Sequence, residues 1–182
     1  MAKNYRKPKT SMVKEAAVSY LKNQTPKHNL KIAARASRSM PETNIIHWLG
    51  GASLMMPINS EFDLITVGEK GVSKASIDEL GNYLGISRKS LAEDIFDLSV
   101  KTLERKGAKE KLDKRTSAHA LEIAKVLQHA FEVFEDEEKV KRWINKEHKA
   151  LNGLKPVALF STLTGLNMVN DILGRIEEGV YS

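Results

Sequence analysis

From Ser60 onward the apolar positions recur every three or four residues, and no stretch alternates as a half-buried strand would, which predicts an all-α fold built of helix after helix. Phe62, Leu64, Ile65 and Val67 predict a short first helix stopped by Gly68 and Gly71. Ser73 offers a cap oxygen to a second, in which Ile77, Leu80, Tyr83 and Leu84 follow one face until Gly85 ends it. Ser87 caps a third that holds Leu91, Ala92, Ile95 and Phe96. After a turn at Asp97 and Leu98, Ser99 caps a fourth carrying Val100, Leu103 and several cations. The strongest periodicity lies in residues 116–134, where Ile123, Val126, Leu127, Ala130, Phe131 and Phe134 share a face behind a cap at Thr116 or Ser117. This helix is expected to join two halves. Beyond it Val140, Trp143 and Ile144 mark a short helix, and Pro156 opens another with Leu159, Phe160 and Leu163. The last begins at Thr164, buries Met168, Val169, Ile172, Leu173 and Ile176, and ends at Gly179.

Upstream the pattern changes. Residues 1–43 are polar and interrupted by Pro8, Pro26 and Pro41, which predicts a mostly disordered arm, although Met12, Val13, Ala16, Ala17, Tyr20 and Leu21 recur at helical spacing. Residues 44–57 are apolar but broken by Gly50, Gly51 and Pro57, and read either as a packing strap or as a linker. Charge sharpens this division. The net charge of +6 separates into +8 over residues 1–43 and −2 over the remainder. A second local excess lies between Ser99 and Arg115, where Lys101, Arg105, Lys106, Lys109, Lys111, Lys114 and Arg115 face only Glu104, Glu110 and Asp113. Concentrated cations of this kind release counterions from a nucleic acid, so both segments are candidate phosphate-contacting regions.

The 182 residues suffice for a core in one or two small domains, and no apolar run approaches the roughly 18 residues of a membrane span. A cytoplasmic location and no membrane partner are expected. The absence of cysteine excludes disulfides, a thiol nucleophile and cysteine-ligated metal centres. His28, His47, His119, His129 and His148 are scattered, and His129 near Glu132 reads as a helix-surface pair. Glycine-rich phosphate loops and a nucleophile elbow are missing, and the acidic run Glu135 to Glu138 reads as a helix N-terminus rather than a calcium loop. No catalytic residue, metal or cofactor is expected, and the chain is not read as an enzyme.

Residues 90–106 (SLAEDIFDLSVKTLERK) fit two short helices joined by a tight turn. Ala92, Phe96 and Leu103 would fix the angle between them, leaving Lys101, Thr102, Arg105 and Lys106 free to project, with Ser99 at the helix start. A cationic helix of this kind suits the major groove, where Arg and Lys bond guanine and a helix N-terminus holds phosphate. Asp97 stands where a turn glycine is usual, and Glu93 where a small residue normally faces the partner helix. The residues alone leave two readings open: a helix-turn-helix, or an ordinary αα-corner with a solvated cationic face.

The C-terminal third is more specific. An acidic turn followed by Arg142, Trp143 and Ile144, then Ala150, Leu151, Asn152 and Gly153 with Pro156, then Leu173 to Ser182 (LGRIEEGVYS), closely resembles the toxin-binding domain of Xre/MbcA/ParS-type antitoxins. The resemblance reaches back through Ser87 to Lys106, where that family carries its helix-turn-helix; Asn152 replaces the first of two family glycines. The resemblance covers roughly residues 60–182 and implies a type II toxin–antitoxin protein in which, after the basic arm over 1–43 that it does not reach, an Xre-like helix-turn-helix domain spans 44–115 and a connecting helix with a small helical toxin-binding domain spans 116–182. The implied partners are a RES-domain toxin, an ADP-ribosyltransferase-like enzyme that consumes NAD, and operator DNA, with a homodimer inside a larger complex. It further implies DNA contacts from Ser99, Lys101, Thr102, Arg105 and Lys106. Toxin contacts are implied for Gly174, Arg175, Glu177, Glu178, Val180, Tyr181 and Ser182, the last three as a projecting tail. The alternative is a helix-turn-helix regulator without a toxin.

Overall fold

A computed structural model of the chain describes residues 42–54 and 60–180. The expected arm lies outside the described residues except for Glu42 and Thr43, as do Tyr181 and Ser182. The helices are α1 (Glu42–Trp48), α2 (Glu61–Lys70), α3 (Lys74–Leu84), α4 (Arg88–Ser90), α5 (Val100–Arg105), α6 (Lys114–Phe134), α7 (Glu137–Ile144) and α8 (Leu163–Glu177). Single 3₁₀ turns occupy Gly51–Leu54, Lys149–Leu151 and Pro156–Leu159. All-α is therefore the architecture of the described residues, whose only sheet-like pairing is an isolated antiparallel bridge between Ser73 and Lys111.

The 21-residue α6 is the axis against which α1, α2, α7 and α8 pack. Its cap is Asp113 rather than Thr116 or Ser117. The Asp113 carboxylate accepts from the Thr116 amide at 3.0 Å and the Thr116 hydroxyl at 2.7 Å. Burial alone would push this carboxyl up, but those bonds outweigh it and hold Asp113 below the usual carboxylate range. Ser117, one position farther into the helix, is buried, and its hydroxyl oxygen accepts from the Val72 amide at 3.0 Å. Of residues 44–57, those up to Leu54 form a packing strap, and the remaining three lie outside the described residues. Ile45, Trp48, Leu49 and Leu54 are buried, and the Trp48 indole donates to the buried Gln128 at 3.1 Å, which in turn donates to Glu132 at 3.0 Å.

Two expected stripes are displaced. Helix α2 runs through Gly68 to Lys70, because Gly68 is where α2 comes close to Ala118 and Leu121 of α6; Phe62 and Ile65 are 79% and 60% exposed instead of buried. Helix α8 starts one residue early behind Thr162, and its buried line is Leu166, Val169 and Leu173. Met168 is 46% exposed, while Ile172 and Ile176 are half-buried on the neighbouring stripe. Gly165 fixes the entry to α8, since a Cβ there would overlap the Leu159 carbonyl oxygen. Buried side chains from Ile45 to Leu173 form one continuous core cluster, so the segments before and after α6 fold against a common interior.

Candidate functional site

The α4–α5 corner is fixed by its caps and turn. Ser87 accepts from the Ser90 amide at 3.1 Å, and α4 widens over Leu91–Ile95, where the Phe96 amide reaches Leu91 O at 3.2 Å. The chain then reverses at Asp97, whose φ of 54° is the left-handed conformation a turn glycine would supply; aspartate tolerates it better than most side chains. The Leu98 amide closes the turn on Ala92 O at 2.8 Å. Ser99 caps α5 by accepting from the Thr102 amide at 3.0 Å, and the two hydroxyls lie 2.7 Å apart. Ala92, Phe96 and Leu103 are buried, and Glu93 faces solvent, so neither sequence departure disturbs the corner.

Of the five residues expected to contact DNA, Ser99, Lys101, Thr102 and Arg105 are exposed on α5 or at its start. Lys106 is not free to project. Its ammonium bonds the Glu110 carboxylate at 2.7 Å and the Lys111 carbonyl at 3.3 Å, because α5 ends at Arg105 and the chain turns back beside it.

The second surface lies where α6, α7 and α8 meet. Asp136 caps α7 by accepting from the Lys139 amide at 3.0 Å, a bond that lowers its pKa, and Glu135 takes the left-handed conformation between α6 and α7. Phe134, Trp143, His148, Lys149, Ala150, Ile172, Arg175, Ile176 and Val180 line an open cavity of about 310 Å³. Trp143 packs between Phe134 and His148, at ring separations of 5.5 and 5.0 Å, and its carbonyl accepts from His148 Nε2–H at 2.9 Å. Asn152 adopts the left-handed conformation at φ 55°, so it serves the backbone as glycine would.

At the end of α8 the Gly179 amide bonds Ile176 O at 3.0 Å and the Val180 amide bonds Arg175 O at 2.9 Å, with Gly179 at φ 71°. This pair of bonds is a Schellman stop, which reverses the chain. Val180 therefore does not project along the helix axis; it turns back and lines the cavity beside Arg175, still 53% exposed. Glu177 is drawn toward α6, its carboxylate 3.4 Å from His129 Nε2, while His129 Nδ1–H donates to Asn170 at 2.6 Å. The expected pairing of His129 with Glu132 is replaced by these contacts. A Cβ at Gly174 would meet nothing within 4 Å among the described residues, so packing among them does not require that glycine. Arg175 and Glu178 are exposed.

The spacing of Val140, Trp143 and Ile144 predicts the short helix but not the cavity that Trp143 forms with Phe134 and His148. The available signal was an aromatic ending the α6 stripe next to a tryptophan and a histidine five residues apart. His119 of α6 packs edge-on against Phe96, with centroids 5.6 Å apart, and donates to the Phe160 carbonyl at 2.7 Å, which ties the α4–α5 corner to the segment that leads into α8. Among the described residues no group of His, Asp or Glu could hold a metal ion, and no helix is long and apolar enough to cross a membrane.

Comparison with known proteins finds a match in each half of the chain. Residues 63–125 match the antitoxin Xre-like helix-turn-helix domain. Residues 129–179 match the antitoxin Xre/MbcA/ParS C-terminal toxin-binding domain. A protein named antitoxin Xre, from Photorhabdus laumondii subsp. laumondii, is 23% identical over 128 residues, which cover 69% of this chain and 86% of that protein. The α4–α5 corner thus lies in an Xre-like helix-turn-helix domain, and the chain joins that domain to an Xre/MbcA/ParS toxin-binding domain, the architecture of an antitoxin and regulator.

Proposed function

We propose that this chain is a cytoplasmic antitoxin that neutralises a RES-domain, NAD-consuming toxin and, as a dimer within the larger complex, represses its own operon. The observation that carries the reading is the aromatic cavity at the end of α8, where the segment Gly174–Val180 meets Phe134 and Trp143 inside the toxin-binding domain. A toxin surface seated there would find an apolar floor and an exposed guanidinium at Arg175. Gly174 would let its backbone approach closely. Val180, already turned toward the cavity, would lead Tyr181 toward the toxin's NAD site, where an aromatic ring would compete with a planar dinucleotide.

On the other surface Lys101, Thr102 and Arg105 would read the major groove, with Ser99 and the start of α5 toward phosphate. Lys106 contributes by holding the end of that helix. The test is co-expression with the adjacent reading frame, purification of the pair, and measurement of NAD turnover. Full-length protein should suppress turnover, and truncation after Val180, which keeps the helix stop, should release it while the protein stays helical. Unchanged suppression by the truncated chain would show that inhibition works away from the NAD site. A helix-turn-helix regulator without a toxin is the second reading; the exposed cations of α5 favour it equally, and failure to co-purify any toxin would select it.

A further inference from the structure

The segment after α5 is held more tightly than its composition suggests. The Lys74 amide bonds Glu110 O at 2.9 Å, the Ala75 amide bonds Ala108 O at 2.9 Å, and the Leu112 amide bonds Val72 O at 2.9 Å. Residues 107–112 are thereby laced to the start of α3, and Leu112 is buried as their anchor. Glu110 supplies a second brace, accepting from Lys106 Nζ at 2.7 Å and from the Gly107 amide at 3.1 Å. The Lys106 bond, then that of Gly107, lowers the Glu110 pKa, so the carboxylate stays ionised and its charge is spent on Lys106. Lys109 and Lys111 are exposed and make no ion pair with any described residue, and the same holds for Lys101 and Arg105 on α5.

We infer that the loop Gly107–Leu112 is a second DNA-contacting element, a wing clamped to the end of α5 that delivers Lys109 and Lys111 to backbone phosphates flanking the groove α5 enters. The inference rests on the proposed entry of α5 into DNA. Phosphate is the ligand because lysine ammonium groups are strongly hydrated point charges that neutralise backbone charge without reading bases, and because the nearby uncompensated cations share one sign. A laced loop also arrives ordered, so binding does not have to supply the entropy of fixing it.

The experiment measures affinity of the full-length protein for a mixed-sequence DNA duplex across a salt series. Lys109→Ala with Lys111→Ala should reduce the slope of log affinity against log salt by roughly 1.8, the share of two phosphates. The matched control, Lys146→Ala with Lys155→Ala, should leave the slope unchanged although it removes the same net charge. Glu110→Gln separates a brace from a diffuse field. Removing a negative charge would tighten binding if only the field mattered, whereas loss of the brace should weaken it several-fold. An unchanged slope in the loop variant, or tighter binding by Glu110→Gln, overturns the wing while DNA binding by α5 stands. A wild type that fails to bind DNA at all overturns both. Loss of toxin binding with an unchanged DNA slope would give the loop to an acidic protein surface instead.

Discussion

Helix α5 is 6 residues long and exposes Lys101, Thr102 and Arg105, whereas α8 is 15 residues long and lines an aromatic cavity with Ile172, Arg175 and Ile176. The first owes its position to things outside itself: the Ser99 cap, the Asp97 turn, and the single buried anchor Leu103. A helix this short would not persist alone in water. The second carries its own buried line, Leu166, Val169 and Leu173, and fixes its end with its own Schellman bonds. The difference predicts distinct failure modes. Charge changes on α5 should alter binding without touching the fold, while changes along α8 should divide sharply between a core stripe that unfolds the protein and a groove stripe that costs only an interface.

The sharpest break is Gly165→Ala. Its Cβ would overlap the Leu159 carbonyl, and because the core is continuous the damage should reach both halves, at about 3 kcal/mol or more in denaturant unfolding. Next, Lys101→Ala with Arg105→Ala should weaken operator binding by roughly 1 to 3 kcal/mol for each base that is no longer bonded and leave toxin neutralisation intact, as gel shifts and NAD turnover would report. Arg175→Ala should do the reverse and cost about 2 kcal/mol in toxin binding by calorimetry, with an unchanged melting temperature.

A smaller effect distinguishes the cap of the shared helix from either surface. Asp113→Ala should cost about 1 kcal/mol of stability and weaken both functions only as far as the folded fraction falls. The acid side of the stability profile follows from the same group. Asp113, Asp136 and Glu110 all have folded pKa values below their ordinary ones, so their contribution is complete above the unfolded carboxylate range and is lost as pH falls through the folded values. Melting temperature should therefore drop on acidification below about pH 4. Asp113→Asn, which keeps a cap oxygen without its titration, should flatten that drop.

Much of this was legible in the chain. The serine caps at 73, 87 and 99, the Gly85 and Gly179 stops and the buried trio Ala92, Phe96 and Leu103 follow from local chemistry, and local chemistry held. The errors arose where a neighbour decided. Ile172 and Ile176 are as apolar as Leu166, Val169 and Leu173, and the position of α6 determines which stripe is core and which lines the groove, while Met168 is left exposed. Thr116 and Ser117 were plausible caps, but a carboxylate three residues before Thr116 accepts two bonds at once and won the position. The Lys106–Glu110 brace was invisible for a related reason: nothing in a run of cations announces which one turns back.

The most direct measurement takes the wild type, Lys101→Ala with Arg105→Ala, and Arg175→Ala, and determines for each both operator affinity and suppression of NAD turnover by the protein encoded beside it. Separate surfaces on one core predict a crossed pattern: the first variant loses DNA and keeps the toxin silent, and the second keeps DNA and lets NAD be consumed. A variant that loses both while remaining folded, or a wild type that leaves NAD turnover untouched, would contradict it.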